Sequence, residues 1–185
     1  MDTYSHAKDN ISLSVFTDGV KLKTIGYLIR KNDRGEREIL LGHHKKQGKL
    51  NGFGGKVGDK PEHKDETIEE ALAREAKEEL GVRIISPQKR AEILFIFCDE
   101  TGSEQQVLCH IYFISAWDGE IRASEELRNP TWFRESEMPW SDMWPNDRLW
   151  LEPLLKRTEF LTAEYRFDPK NGLIASESVI EWKEV

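Results

Sequence analysis

Apolar residues recur along this chain at two different spacings, which predict where strands and helices lie. KTIGYLIRK and REILLGHH are largely apolar runs of strand length, joined by the turn-like NDRG at residues 32–35. Between residues 67 and 80 the spacing becomes that of a helix, and Gly81 follows as a natural stop. The first half therefore predicts a hairpin followed by a helix.

The second half of the chain repeats the strand pattern and then adds one more helix. AEILFIFCDE and QQVLCHIYFISAW predict a hairpin around Thr101–Glu104, and TWFRESEMPW predicts a strand fragment with a turn. A shorter helix is predicted to begin near Asn146, and Asn171-Gly172 marks a turn between two final strands. Because strands and two helices interleave without a regular βαβ repeat, we expect a single α+β domain with helices packed on a mixed sheet.

Three glutamates of the first helix fall on its predicted inward side. With about 100° between successive residues, Glu75 and Glu79 lie within the apolar stripe and Glu78 lies beside it. The outward positions are Glu70, Arg74 and Lys77. Neighbouring like charges repel, and burial adds a desolvation penalty, so protons or a cation must neutralise the carboxylates. The alternative is a solvated acidic helix.

A glycine-rich loop precedes this helix and favours the cation. NGFGGKVG, at residues 51–58, holds four glycines among eight residues, which lets the backbone approach a ligand or a metal ion closely. Carboxylate oxygens favour Mg²⁺ or Mn²⁺ over zinc. Together the loop and the acidic helix predict a metal–phosphate site.

Composition excludes several other classes of protein. The formal net charge of −7 disfavours binding to a nucleic-acid polymer, although a bound cation still permits a small phosphorylated ligand. No apolar run is long enough to span a membrane, and the polar N-terminus lacks the layout of a signal peptide. We therefore expect a cytoplasmic protein without membrane association. Cys98 and Cys109 flank the second hairpin and are expected to be reduced thiols. The alternative is that the two cysteines face each other across the hairpin.

The residues around the first helix resemble the signature of the Nudix hydrolase family, G-x5-E-x7-R-E-U-x-E-E-x-G-U, in which U is aliphatic. Glu66, seven residues and then REAKEELGV reproduce this signature from its first glutamate onward, with Ala76 as a small U. The departure lies between Gly55 and Glu66, where ten residues replace five. The insertion lies in a loop, where added length costs little closure entropy.

The resemblance covers about residues 22–185 and extends to the MutT-type members of animals, which hydrolyse oxidised purine nucleoside triphosphates. LNGFGGKV, TWF and DMWPND carry it outside the signature. It implies the Nudix fold, a mixed β-sheet in an α/β/α sandwich, for residues 22–185, and it leaves residues 1–21 as an N-terminal extension.

The resemblance implies a role for each matching residue near the metal. The implied metal ligands are Gly54, through its carbonyl, Glu75, Glu78, Glu79 and Glu126. The implied ion is Mg²⁺, with Mn²⁺ as a substitute, and the candidates for the catalytic base are Glu78, Glu79 and Glu126. The implied structural residues are Gly55, Glu66, Arg74 and Gly81; among these, Glu66 and Arg74 are expected to hold the helix and orient its carboxylates.

The resemblance also implies a set of substrate-binding residues. They are Thr24, His44, Asn51, Lys56, Phe95, Val107, Trp144, Asn146 and Asp147. Lys56 is expected near the phosphates, and His44 either faces phosphate or belongs to a solvated basic turn. Trp144 is expected to stack on the purine, with a plain core position as the alternative. Asn51, Asn146 and Asp147 are expected to read the purine edge, although Asn146 or Asp147 is also suited to cap the second helix.

The implied activity is Mg-dependent hydrolysis of oxidised purine nucleoside triphosphates, such as 8-oxo-dGTP, to the monophosphate and pyrophosphate by a monomer. The animal members carry two aspartates where this chain has Asn146-Asp147. An amide has fixed donors and acceptors, so we expect a narrower preference, for 8-oxoguanine over 2-hydroxyadenine nucleotides. Two alternatives stay open: a Nudix pyrophosphatase for another nucleoside diphosphate derivative, and a non-catalytic nucleotide-binding module.

Overall fold

A mixed sheet lies between two helices in this computed structural model, which describes residues 19–46, 48–58, 60–168, 172–173 and 179–184. The strands are β1 (Lys21–Lys31), β2 (Arg37–His44), β3 (Leu50–Asn51), β4 (Arg83–Ile85), β5 (Gln88–Cys98), β6 (Glu104–Ile114), β7 (Ala116–Asp118), β8 (Leu127–Arg134), β9 (Phe160–Asp168), β10 (Gly172–Leu173) and β11 (Val179–Lys183). The helices are α1 (Ile68–Leu80) and α2 (Asp147–Lys156). Short 3₁₀ turns occupy Pro61–His63 and Glu135–Glu137.

The main sheet combines parallel and antiparallel pairs, in the order β10-β9-β5-β6-β1-β2-β3. The parallel pairs are β1 with β6 and β5 with β9, and the remaining pairs are antiparallel. β11 pairs with β9 and β8 pairs with β2, whereas β4 and β7 form a separate two-stranded ribbon. No helix in the described part of the chain is long and apolar enough to cross a membrane.

Two hydrophobic cores lie on opposite sides of the sheet. On the α2 side, Tyr27 of β1 packs with Trp150 of α2 in one buried cluster. On the α1 side, Leu28 of β1 packs with Leu72 of α1 and Phe53 of the glycine loop in another. Neighbouring side chains of a strand point to opposite faces, so β1 contributes to both cores. This layering confirms the predicted mixed sheet in an α/β/α sandwich within a single domain.

Helix α1 begins and ends where the sequence predicts. The Thr67 hydroxyl accepts a hydrogen bond from the Glu70 N–H, and the Glu70 carboxylate accepts one from the Thr67 N–H, which forms a capping box. At the other end Gly81 adopts a positive φ of 75°, which glycine tolerates best. These ends fix which residues of α1 face the sheet.

The predicted hairpins are present, and the structure adds details that the pattern missed. The β4–β7 ribbon was not predicted. Between β2 and β8 the register shifts near Leu41 and His43, and Asn129 opposite them has a φ of +49°. Cys98 and Cys109 are both free, and they do not face each other, because Cys109 pairs with Ile93. The tail turn is described only from Gly172 on, and residues 1–18 of the predicted extension lie outside the described residues.

Candidate active site

The glycine loop runs alongside β1 as an irregular extra strand. The Gly26 N–H donates to the Phe53 carbonyl over 2.8 Å, and the Thr24 N–H donates to the Gly55 carbonyl over 2.9 Å. Gly54 has a φ of 141°, and a Cβ there would meet the Thr24 carbonyl oxygen at 2.2 Å. Only glycine permits this close approach, so the loop is held in one conformation beside the sheet.

Two carboxylates of α1 rest directly on this loop. The Gly54 N–H donates to Oε2 of Glu79 over 2.9 Å. A Cβ at Gly55 would lie 2.2 Å from Oε1 of Glu75, so a larger residue would push that carboxylate away. The glycines therefore do more than allow a turn, because they also make room for the acidic side of α1.

Burial perturbs both carboxylates in the same direction. Glu75 is 9% exposed and Glu79 is 3% exposed, which confirms their predicted inward orientation, whereas Glu78 is exposed. Burial, helped by the charges of Glu75, Glu126 and Glu78, raises the pKa of Glu79 to about 8, against the lowering effect of the Gly54 N–H. Burial also raises the pKa of Glu75, against the opposing effect of Arg74. Negative charge is therefore concentrated here, and a cation would relieve it.

Glu126 joins the cluster from a distant part of the sequence. It lies in the turn before β8, where the Lys45 N–H donates to its carbonyl over 2.9 Å. Ser124 closes the same turn by accepting a hydrogen bond from the Leu127 N–H over 3.0 Å. The Glu126 charge contributes to the raised pKa values of Glu75 and Glu79, so the structure brings all three acidic groups close together.

Arg74 does not point outward as the helical wheel predicts. Its side chain is only 16% exposed and folds back to form a bidentate ion pair with Glu66, at 3.0 Å for each contact. The same guanidinium donates to Glu75 over 2.9 Å and to Glu78 over 3.1 Å. The wheel fails here because it places Cβ, while a long side chain can return along the helix surface. The implied structural role of Arg74 fits this geometry.

The insertion before α1 is closed off by Glu66. Its Oε1 accepts a hydrogen bond from the Gly58 N–H over 2.9 Å, which joins the two ends of the inserted segment. The segment contains the 3₁₀ turn Pro61–His63, and its other end leads to Thr67, the cap of α1. The extra residues therefore leave the glycine loop and the acidic helix in contact.

The donors at this position suit a hard divalent cation. Glu75, Glu78, Glu79 and Glu126 supply carboxylate oxygens, and no described residue donates a hydrogen bond to the Gly54 carbonyl. Within the described residues, no three acidic, histidine or cysteine side chains already form a coordination shell. Instead, Arg74 donates hydrogen bonds to Glu75 and Glu78, and the Gly54 N–H donates one to Glu79. Each of these contacts uses one carboxylate oxygen and leaves the other oxygen for a metal ion.

A second group of predicted residues lies on the α2 side of the sheet. Phe95 of β5 pairs with Val107 of β6, and the Phe95 ring stacks on Tyr165 with centroids 6.0 Å apart. Trp144, in the loop before α2, is 40% exposed. A plain core position for Trp144 is therefore wrong, and its ring remains available for stacking.

Asn51 presents a defined hydrogen-bonding edge to the same side. Its side-chain oxygen accepts from the Tyr27 hydroxyl over 2.6 Å and from the Gly52 N–H over 2.8 Å. No described residue accepts from the Asn51 amide NH₂ group. The amide orientation is thus fixed, and Asn51 can offer donors to a ligand.

Asp147 is a buried acid at the start of α2. It is 4% exposed, and burial raises its pKa to about 7, opposed by the Trp144 N–H, which donates to it over 3.3 Å. The Trp150 indole N–H also lowers this pKa, although it lies outside hydrogen-bonding geometry. Asn146 occupies the N-cap position but makes no side-chain capping bond, so that alternative role for Asn146 is wrong.

The remaining predicted residues divide between the two sides. His44 contacts the glycine loop, with Nε2 2.8 Å from the Gly52 carbonyl, and burial lowers its pKa. Lys56 is exposed on the loop. Thr24 stands apart from the purine-binding group: Ile25 and Tyr27 face the α2 core, so Thr24 points to the α1 side. Lys23, which was not among the predicted residues, faces the α2 side together with Ile25 and Tyr27.

Comparison with known proteins agrees with this architecture. A family model described as the NUDIX domain matches residues 22–154. The oxidized purine nucleoside triphosphate hydrolase of Danio rerio is 39% identical over 126 residues, which are 66% of this chain and 75% of that protein. The protein of the same name from Mus musculus is 33% identical over 142 residues, or 75% of this chain and 85% of that protein.

The structural comparison extends over more of the chain. A crystal structure of the mutator MutT protein from Bacillus halodurans superposes with a TM-score of 0.71, covering 87% of this chain and 97% of that one. Its sequence identity is 19%, so this likeness concerns the fold. A sheet between two helices, with an acidic helix against a glycine loop, defines a hydrolase of the Nudix class. With the matched family model and relatives, the chain belongs to the Nudix family.

Proposed function

We propose that this protein hydrolyses oxidised purine nucleoside triphosphates, such as 8-oxo-dGTP, to the nucleoside monophosphate and pyrophosphate. The observation that carries the proposal is the contact of Glu75 and Glu79 with the glycine loop, with the charge of Glu126 acting on both carboxylates. The two relatives named as oxidized purine nucleoside triphosphate hydrolases support the substrate class. The intact set of carboxylates argues against a module that only binds nucleotide.

Nudix hydrolases generally need divalent metal ions, and for this chain we propose Mg²⁺, with Mn²⁺ as a substitute. The ligands are Glu75, Glu78, Glu79, Glu126 and the Gly54 carbonyl. When bound, Mg²⁺ neutralises phosphate oxygens and lowers the pKa of a coordinated water. A glutamate accepts the proton of the attacking water, which cleaves the phosphoanhydride linkage between the α- and β-phosphorus atoms and releases the monophosphate and pyrophosphate. Glu78, Glu79 and Glu126 are the candidates for this base.

The base binds on the α2 side of the sheet in this proposal. Trp144 stacks on the purine, while Asn51 donates from its amide NH₂ group. Asp147 donates a hydrogen bond to the purine when it is protonated and accepts one when it is ionised. Asn146 contributes its side-chain amide to the same edge. We expect the fixed amide to favour 8-oxoguanine over 2-hydroxyadenine nucleotides.

The setting of the enzyme follows from the same features. We propose that residues 22–185 form the hydrolase domain and residues 1–21 an extension. The substrate is a free nucleotide rather than a polymer, because the net charge of −7 disfavours nucleic acid. We further propose a monomer in the cytoplasm.

A panel of substrates tests the proposal. Pyrophosphate release is measured with Mg²⁺ on 8-oxo-dGTP, dGTP, 2-hydroxy-dATP and ADP-ribose, each with and without a chelator. We expect 8-oxo-dGTP to have the highest kcat/KM and the chelator to abolish turnover. Preferred cleavage of ADP-ribose, or comparable efficiency on 2-hydroxy-dATP, would contradict the substrate assignment. Unchanged turnover with chelator would contradict the metal site.

A further inference from the structure

Lys23 lies on the α2 face of β1, at the edge of the candidate site. Side chains alternate along the strand, and Ile25 and Tyr27 both pack into the α2 core, so Lys23 shares their face. It pairs with Cys109 on β6 on one side. On the other side it forms an antiparallel bridge with Lys56 of the glycine loop. Two lysines therefore lie directly opposite each other across neighbouring strands.

This arrangement is unfavourable unless an anion is present. Like charges placed directly opposite across strands repel each other. Among the described residues, no carboxylate forms an ion pair with Lys23 or Lys56, although the chain has an excess of acidic residues. Lys23 is half-buried, which reduces the water that could screen its charge. The pair is therefore a charged surface that lacks its counter-ion.

Electrostatic effects on neighbouring groups support this placement. Burial raises the pKa of the Cys109 thiol to about 12, and the Lys23 charge opposes that rise. Burial lowers the pKa of His44, and the Lys23 charge lowers it further, against the effect of Glu126. The Lys23 charge therefore acts on Cys109 of β6 and on His44 of β2, which itself contacts the glycine loop.

The glycine loop separates these lysines from the acidic helix. Glu75 and Glu79 contact the loop at Gly54 and Gly55, and Lys56 follows immediately in the sequence. Through its bridge with Lys56, Lys23 therefore adjoins the part of the loop on which the carboxylates rest. We propose that Lys23 binds the phosphate chain of the substrate, paired across the strands with Lys56.

This assignment changes which β1 residue contacts the ligand. The resemblance implied Thr24, but the strand alternation turns Thr24 to the opposite face and brings Lys23 to the site. An ammonium group supplies three donors and a full charge, whereas a threonine hydroxyl supplies one donor and no charge. Lys23 thus adds to the binding of the phosphate chain. The inference rests on the proposed function only for the kind of ligand, a chain of phosphates.

Inorganic tripolyphosphate tests this proposal without involving any base. Its Kd is measured by calorimetry, with Mg²⁺, for the wild type, Lys23→Met and Lys31→Met. Lys31 is a matched control because it is an exposed lysine at the far end of the same strand. We expect Lys23→Met to weaken binding roughly tenfold to a hundredfold, as loss of a charge-assisted hydrogen bond predicts. Lys31→Met is expected to match the wild type.

A second ligand separates phosphate binding from recognition of the base or sugar. The affinity for 8-oxo-dGMP is expected to change much less in Lys23→Met than the affinity for tripolyphosphate. Lys23→Arg keeps the charge and is expected to recover most of the tripolyphosphate affinity, and Lys23→Gln replaces Lys23→Met if that variant does not fold. Equal affinity for tripolyphosphate in the wild type and Lys23→Met overturns the proposal. A loss confined to 8-oxo-dGMP also overturns it.

These outcomes remain distinguishable from failure of the proposed substrate. If the enzyme prefers another nucleoside di- or triphosphate, the tripolyphosphate measurement still reports on Lys23. If Lys23 plays no part, the substrate panel remains valid, because it uses the wild-type protein.

Discussion

Glu79 of α1 and Asp147 of α2 are both buried acids, yet their surroundings differ in kind. Burial raises the pKa of Glu79 to about 8 and that of Asp147 to about 7. Around Glu79 the charges of three further carboxylates contribute to that rise, and the Gly54 N–H opposes it. Around Asp147 the other influences are N–H groups, which lower it. The first environment has too much negative charge, while the second has a single acid among donors and aromatic rings.

This difference indicates which kind of ligand would stabilise the buried acid in each region. A cluster of carboxylates is neutralised by a multivalent cation, which one proton on one group cannot replace. A lone buried acid needs only a proton or a hydrogen bond, so it can respond to the donors and acceptors of a purine. The surroundings of Glu79 are therefore suited to a metal cation and those of Asp147 to recognition of a base.

The largest effect is expected from Glu79→Gln. The substitution removes a metal ligand and candidate base but keeps an oxygen for the Gly54 N–H. We expect kcat to fall roughly 10³-fold or more. Stability is expected to be unchanged or slightly higher, because a buried charge is lost. The measurements are pyrophosphate release and thermal unfolding, with Glu62→Gln, an exposed glutamate of the insertion, as the matched control. Turnover near the wild-type rate would remove Glu79 from the catalytic groups.

An intermediate effect, with a distinct pH signature, is expected from Asp147→Asn. Because the folded-state pKa of Asp147 is raised, its protonated form stabilises the protein at low pH, and this contribution is lost as pH rises through about 7. The variant lacks this loss, so its stability relative to the wild type should rise between pH 4 and pH 8, by at most about 4 kcal/mol. Urea unfolding at the two pH values measures this difference.

The same variant should affect recognition more than chemistry. We expect kcat/KM for 8-oxo-dGTP to fall roughly tenfold, as for one weakened hydrogen bond, with most of the change in KM. If the stability difference between wild type and variant is the same at pH 4 and pH 8, Asp147 is not the buried, proton-binding group described above.

The smallest effect is expected from Asn146→Asp, which introduces a second carboxyl beside Asp147. Two adjacent acids can share a proton and so accept more than one pattern of donors. We expect the ratio of kcat/KM for 2-hydroxy-dATP to that for 8-oxo-dGTP to rise several-fold. Activity on 8-oxo-dGTP should stay close to that of the wild type. An unchanged ratio would show that Asn146 does not set the base preference.

Helical periodicity predicted the acidic side of α1 well, because helix geometry fixes where Cβ atoms point. Glu75 and Glu79 are buried as predicted, and the helix ends at the predicted cap residues. The same reasoning failed for Arg74, whose long side chain returns along the helix to form ion pairs with Glu66 and Glu75. Periodicity describes the backbone, while ion pairs decide the path of a flexible side chain.

Contacts between distant segments were harder to predict. Glu126 was assigned by resemblance alone, and only the turn before β8 explains how it reaches α1. Thr24 was placed with the purine-binding residues, but a shift of one residue along a strand reverses the face of the sheet. Strand alternation places Lys23 on the α2 face, which the sequence pattern around it did not indicate.

The hydrogen bond between Glu66 and Gly58 has a consequence for how this protein can change. Because it joins the two ends of the inserted segment, the length of that segment is separated from the geometry of the acidic helix. A longer or shorter insertion would alter a surface loop without moving the glycines against the carboxylates. The segment is thus a natural position for a peptide tag or for a new recognition loop, and its variation among relatives carries little information about catalysis.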